Sequence, residues 1–254
     1  MNHKIIFSLA FAAATLLFSC KKNTYQSGGT GNGKANIVFS NNAGSSSLVL
    51  GQNYTNQHGD QFQVSMFKYY VSNVKLNGST ASYTEPNSYH LIDQNSPAGS
   101  SFQLNGMQYG QYTSITFTVG VDSTRNVSGA QTGALDPINN MFLNLASGYV
   151  MLKLEGTSPQ SIQTGHSITF HASGFWGPNT ALRTVTVNFP HPISVTGDPT
   201  SVSHVNVTAD VLAIFKSPNV IDFSITNSVL TAGVDVTKLA DNYANMFSVA
   251  SAGL

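Results

Sequence analysis

Charge is what this sequence has least of. Asp, Glu, Lys and Arg make up 9% of its 254 residues, against roughly 25% in ordinary soluble domains. The eleven cations and eleven anions cancel, so nothing in the sequence supplies the basic surface that nucleic acid needs. Cysteine is almost missing too. Cys20 is the only one, which leaves the rest of the chain without a disulfide, a thiolate metal site or a thiol nucleophile. Tryptophan occurs once, at Trp176. No GxSxG elbow, HExxH helix, P-loop, GxGxxG turn, CxxC pair or EF-hand loop occurs. The sequence therefore reads as a protein that is not an enzyme. A carboxylate-pair hydrolase would need two of Asp122, Asp136 and Glu155 within about 5–10 Å in an open cleft.

Long apolar runs are also scarce, and the one present is N-terminal. Lys4 precedes IIFSLAFAAATLLFS, which ends at Cys20. Residues 1–19 have the form of a signal peptide. Leu17-Phe18-Ser19-Cys20 resembles a bacterial lipobox, which predicts cleavage before Cys20 and its acylation, giving a stable membrane anchor. Residues 20–35 are polar and Gly-rich and form a flexible tether. Lys21-Lys22-Asn23-Thr24 carries no acidic run of the kind that signals surface export. These features predict a lipoprotein on the periplasmic face, anchored in the outer membrane of a Gram-negative bacterium.

Ser, Thr, Asn and Gly fill the space that charge leaves, and apolar residues alternate between them. Ile37-Val38-Phe39, Leu48-Val49-Leu50, Phe62–Leu76, Tyr89–Asp93, Tyr112–Val121, Tyr149–Glu155, His166–Ala172, Thr184–Phe189 and Val205–Val211 all read as strands. The Phe62–Leu76 run is long enough to bend in its middle. A short helix is predicted within 212–222. Leu239, Tyr243 and Phe247 fall on one helical stripe behind Asp235 as N-cap. Many strands without βα alternation predict an all-β fold, an antiparallel β-sandwich of Greek-key type with long loops and a C-terminal helix. No internal linker follows residue 36, so 36–254 reads as one domain.

The strand Leu135–Gly156 is central. Val150, Leu152 and Leu154 share one face; Tyr149, Met151, Lys153 and Glu155 share the other. The second face carries groups able to bind a ligand. Met141 and Met151 offer thioethers, though Met more often fills a core. Asp122 and Asp136 each precede turn-like sequence. They read either as backbone caps or, with Glu155, as part of a hard-cation site. Trp176 lies on a loop, where it either anchors that loop on the sandwich or stacks on sugar or peptide. Seven histidines occur. His90 and His171 lie inside strands, and His58, His166, His191 and His204 at strand ends or in loops.

Several blocks are distinctive. They are FKYYVSNVKL at 67–76, YHLID at 89–93, VGVDSTRNVSGAQTGALDP at 119–137 and GYVMLKLEG at 148–156, followed by TFHASGF at 169–175, LRTVTVNF at 182–189, ADVLAIFKSPNVIDF at 209–223 and ADNYANMF at 240–247. Together they resemble the MbnP-like family over about residues 36–250. The resemblance implies a periplasmic copper-binding protein, with copper held by histidines beside an oxidised tryptophan. It also implies a di-haem peroxidase of the MbnH type as the partner that makes the modification. This chain departs from that pattern. The family's MFWxW run is here Met141-Phe142-Leu143-Asn144-Leu145, and its FDH run is Phe39-Ser40-Asn41. A leucine cannot become a kynurenine, and asparagine is a poor copper ligand. His171 keeps its family position, with His90 as the partner ligand and Asp122 supporting from behind. Two ligating imidazoles must bring their nitrogens within about 3–4.5 Å of each other, with Cβ atoms no more than about 10 Å apart. Two readings stay open: a copper or other metal-binding lipoprotein for capture or delivery, or a degenerate member without copper that serves as a binding or structural module.

Overall fold

The computed structural model describes residues 31–129, 131–198 and 200–254. The expected signal peptide, Cys20 and most of the tether lie outside the described residues. The strands, in chain order, are β1 (Gly33–Ala43), β2 (Ser46–Ser47), β3 (Asn53–Thr55), β4 (Gln61–Asn77), β5 (Ser82–Thr84), β6 (Tyr89–Asp93), β7 (Ser101–Met107), β8 (Gly110–Val119), β9 (Phe142–Asn144), β10 (Gly148–Thr157), β11 (Ser167–Ser173), β12 (Arg183–Val195), β13 (Ser203–Asp210), β14 (Ser228–Val229) and β15 (Phe247–Gly253). Among the described residues two α-helices join them, α1 (Ser123–Asn126) and α2 (Val234–Tyr243).

They form a β-sandwich of two sheets. The smaller runs β15-β13-β1-β2, with β7 also on β1. The larger runs β12-β8-β4-β10-β11-β14. Its spine is β4. One edge of β4 takes β10 along Gln63–Tyr69 and then β8 along Val71–Asn77. The other edge takes β3, β6 and β5 in turn. The bend expected within Phe62–Leu76 sits at Asn73, which has φ 54° and marks a register shift against β8. Pairing is mostly antiparallel, but β1–β13 and β11–β14 are parallel, so the sheets are mixed.

The core lies between the sheets. Phe39 meets Tyr69, Phe117 and Phe247 edge-on, and Phe62, Phe170, Phe215 and Phe223 form a second aromatic cluster. Each such side chain contributes about 1.5–3 kcal/mol by leaving water. The outer face of the large sheet is covered as well. The 122–147 segment crosses it, with Tyr70 Oη donating to the Ala134 carbonyl and Tyr149 Oη to that of Leu135. That cover buries β10 on both faces, which its alternation alone does not predict.

Four local expectations need correction. Leu48–Leu50 is not a strand: Leu48 N bonds Asn41 O as the chain leaves β2. The first strand starts at Gly33, ahead of Asn36. Phe247 does not continue the helical stripe. The helix ends at Tyr243, and Phe247 opens β15, paired with Ala209. Asp235 is inside the first turn of α2, bonded to Lys238 at 3.0 Å, and Gly233 takes the N-cap position.

Candidate metal centre

One row of residues crosses four strands of the large sheet on its outer face. Asp93 pairs with Lys68, Lys68 with Lys153, and Lys153 with His171. Two lysines directly opposite each other repel, and local bonds offset this. Lys68 Nζ lies 2.9 Å from Asp93 Oδ2, and Lys153 Nζ 3.3 Å from Glu155 Oε1. The ammonium groups also donate to the carbonyls of Asn139 (3.5 Å) and Asn140 (3.4 Å). Those carbonyls are presented by a turn that Asp136 caps, its Oδ1 accepting from Ile138 N at 2.9 Å. For Asp136, then, the capping role is the observed one.

His171 closes the row, with Nε2 2.8 Å from Glu155 Oε1. Burial pushes the imidazole below its ordinary pKa. The Glu155 bond only partly opposes this, and Lys153 lowers it further. For Glu155, burial acts upward, but the His171 bond and Lys153 prevail and hold it below the ordinary range. A neutral imidazole donating Nε2–H to an ionised carboxylate satisfies both shifts, and it leaves Nδ1 as an acceptor. That is how carboxylate-oriented metal-ligating histidines are arranged, but among the described residues His171 belongs to no group of three converging ligand atoms. Met151 is unavailable, since its sulfur accepts from Val121 N at 3.1 Å.

His90 is elsewhere. It pairs with Val71 on β4 and so faces the inter-sheet side, while His171 faces outward. Its Nε2 is 2.8 Å from Glu85 Oε2, and its ring stacks on Phe102 at 3.5 Å. β4 and β10 separate the two histidine strands, about 14 Å at usual strand spacing. The expected His90–His171 pair is therefore not formed: the residues point to opposite faces of one sheet. Asp122 joins neither. It caps α1 through Arg125 N at 3.3 Å and accepts from Tyr89 Oη and Asn73 Nδ2. Burial would raise its pKa, but these bonds bring it below the ordinary value. Asn41 is also committed, accepting from Tyr69 Oη at 2.9 Å and donating to Gln94 Oε1 at 3.0 Å. Leu143 and Leu145 are exposed and offer no ligand atom.

A different group does converge. The β3–β4 connection closes as Asn56 N bonds Asp60 O (3.0 Å) and Asp60 N bonds Asn56 Oδ1 (2.8 Å), with Gly59 at φ 101° between them. This turn buries Asp60. Its Oδ2 accepts from Asn56 Nδ2 at 3.1 Å and from Phe223 N at 2.8 Å. Oδ1 is left facing His58 Nδ1 at 3.1 Å. Across the ring, His58 Nε2 lies 3.6 Å from Asp222 Oδ2. Asp222 Oδ1 is held by Ser224 N (2.8 Å) and Oγ (2.6 Å). Each carboxylate thus has one oxygen fixed by protein and one turned to the imidazole. Among the described residues this is the one set in which three His, Asp or Glu ligand atoms all lie within 4.8 Å of one another. The Asp60 bond raises the His58 pKa; burial opposes and the Asp222 charge adds. The Ser224 hydroxyl and amide lower that of Asp222. His58 was visible in the sequence only as a loop histidine. The Asn56-Gln57-His58-Gly59-Asp60 turn is a local signal for two of the ligands; nothing local points to Asp222.

Comparison with known proteins agrees with the fold. The model of the MbnP family matches residues 32–232. A solved structure, MbnP from Methylosinus trichosporium, superposes with a TM-score of 0.52 at 14% identity, covering 80% of this chain and 82% of that one. No curated protein sequence matches the chain. The family match spans well over half the sequence and coincides with the sandwich described above: the chain belongs to the MbnP family.

Proposed function

We propose that this MbnP-family chain is a membrane-anchored periplasmic lipoprotein that captures or delivers a metal ion, rather than turning over a substrate, and that His58, Asp60 and Asp222 hold the ion. The observation that carries this reading is the convergence of those three ligand atoms. The residues at the positions implied by the family resemblance do not fit copper: His90 and His171 lie apart, and Asn41, Leu143 and Leu145 supply no ligand. One imidazole and two carboxylates form a three-ligand set with an open position, suited to a borderline divalent ion such as Zn²⁺ or Cu²⁺. Cu⁺ prefers thioether and thiolate donors, which this group lacks. His58 must be neutral to ligate, so binding releases a proton and weakens in acid.

The test is calorimetric titration of the metal-free chain with Zn²⁺ and Cu²⁺ at neutral pH. The expected result is one ion per chain, retained after desalting and lost in His58→Ala, while His171→Ala keeps it. Substoichiometric retention in the wild type would overturn the proposal. A second reading has its own support. Both nitrogens of His58 already face carboxylates, as in a closed ion triad. In that reading the chain is a copper-free binding or structural module, and His58 ties the 56–60 turn to the 221–224 segment. The same titration separates the two.

A further inference from the structure

The loop between β11 and β12 carries the chain's single tryptophan. Gly174 has φ 114°, and a Cβ there would meet Ala232 Cβ at 2.9 Å. Its carbonyl accepts from Ala181 N at 2.8 Å and from Thr180 Oγ1 at 3.4 Å. The loop is thus closed on itself and packed against the segment before α2. On this base Trp176 stands 74% exposed, so it is not a loop anchor tucked on the sandwich edge. A cavity of about 330 Å³ opens beside it, within the range of small-molecule sites. Ser147, Ser173, Asn179 and Thr231 line it with Trp176 and Pro178. Ser173 is 2% exposed, so the cavity reaches from the exposed indole to a buried position of β11. No charged residue lines it.

We propose that this cavity binds a neutral saccharide. The indole face stacks on a sugar ring, and the hydroxyls of Ser147, Ser173 and Thr231 and the Asn179 amide exchange hydrogen bonds with sugar hydroxyls. A charged ligand would find no counter-charge. An extended peptide needs free backbone groups, and this loop uses the Ala181 amide and the Gly174 and Gly177 carbonyls within itself. The fixed loop limits the ordering cost of binding. The proposal does not depend on metal at His58.

The single tryptophan reports directly on the site. The folded chain is titrated with maltotetraose, cellotetraose and N,N′,N″,N‴-tetraacetylchitotetraose, following indole emission, with calorimetry for stoichiometry. At least one of them should shift the emission and saturate at one per chain. Trp176→Ala should weaken binding about tenfold, the scale of one aromatic stacking contact. Ser173→Ala should weaken it about threefold without moving the melting temperature, and EDTA should change nothing. Three results would overturn the proposal: no saturation by any of the three up to about 10 mM, far above the range of useful affinity; unaltered binding in Trp176→Ala; or saturation by decaproline where the sugars fail, which would make this a peptide site. Loss of sugar binding in EDTA would assign it to a metal elsewhere and overturn it as well.

Discussion

The carboxylate of Asp60 accepts the backbone amide of Phe223 at 2.8 Å, joining turns 163 residues apart in the chain. Phe223 in turn packs edge-on against Phe62 and Phe215. The bond therefore fixes a carboxylate oxygen at the candidate metal centre and seats an aromatic of the core. It makes the site a product of the fold rather than of a mobile surface loop.

Asp60→Ala should destabilise the chain by about 3 kcal/mol, because it strands a buried amide and the Asn56 side chain, whose bonds to a carboxylate are stronger than neutral ones. Asp60→Asn keeps one acceptor oxygen and should cost less than half of that. Urea denaturation, compared at constant m-value, checks both. Equal losses would mean that packing rather than the acceptor matters.

His58 and His171 should tilt the stability of the metal-free chain in opposite directions with pH, His58 above about pH 6.5 and His171 below it. His58 has a raised folded pKa, so its contribution is full below the unfolded value of about 6.5 and fades as pH rises through the folded value. His171 has a lowered folded pKa, so the unfolded state binds more protons and stability falls as pH drops below about 6.5. In melts from pH 5 to 8, His58→Ala should steepen the loss towards acid, and His171→Gln should reduce it. Parallel curves for both variants would contradict the assignments.

Much of the sandwich was legible because its strands obey a two-residue period. The runs at Phe62–Leu76, Tyr112–Val121 and Val205–Val211 each matched a strand to within a few residues. The misses share a cause. β7, with its Gly106, and β15, rich in Ala, Ser and Gly, have weak strand patterns and form because β1 and β13 offer them partners. Leu48 and Phe247 are buried or packed without belonging to the element that their spacing suggested. The site was less legible than the fold. Strand parity correctly placed His171 opposite Phe170, but parity says nothing about which face of a neighbouring strand His90 uses. The Asp60–Asp222 convergence depends on tertiary closure, which no local spacing encodes.

The lysine pair supports a third expectation. Lys153 lowers the pKa of His171 through its charge. Lys153→Met keeps the buried stem while removing that charge. The His171 titration midpoint, followed by its ring-proton NMR signals, should move up. A midpoint that stays or falls would mean that burial alone sets it.

The last expectation concerns the entry to β10. Gly148 has φ 69°, in the left-handed region that a side chain rarely adopts. A Cβ there would come within 2.1 Å of Asn126 Oδ1. That oxygen is not free to move, because it accepts from Tyr149 N at 2.7 Å, and Asn126 is fully buried at the end of α1. Gly148→Ala should therefore both strain the backbone, at about 1–3 kcal/mol, and break a buried hydrogen bond, at about 1–3 kcal/mol. Tyr149 sits one residue on and holds the covering segment through Leu135. The damage should therefore appear as faster amide exchange across 122–147 before any loss in β1 or β13. Thermal melts with exchange mass spectrometry check it: a uniform rise in exchange over both sheets would show that the covering segment and the sandwich unfold as one unit.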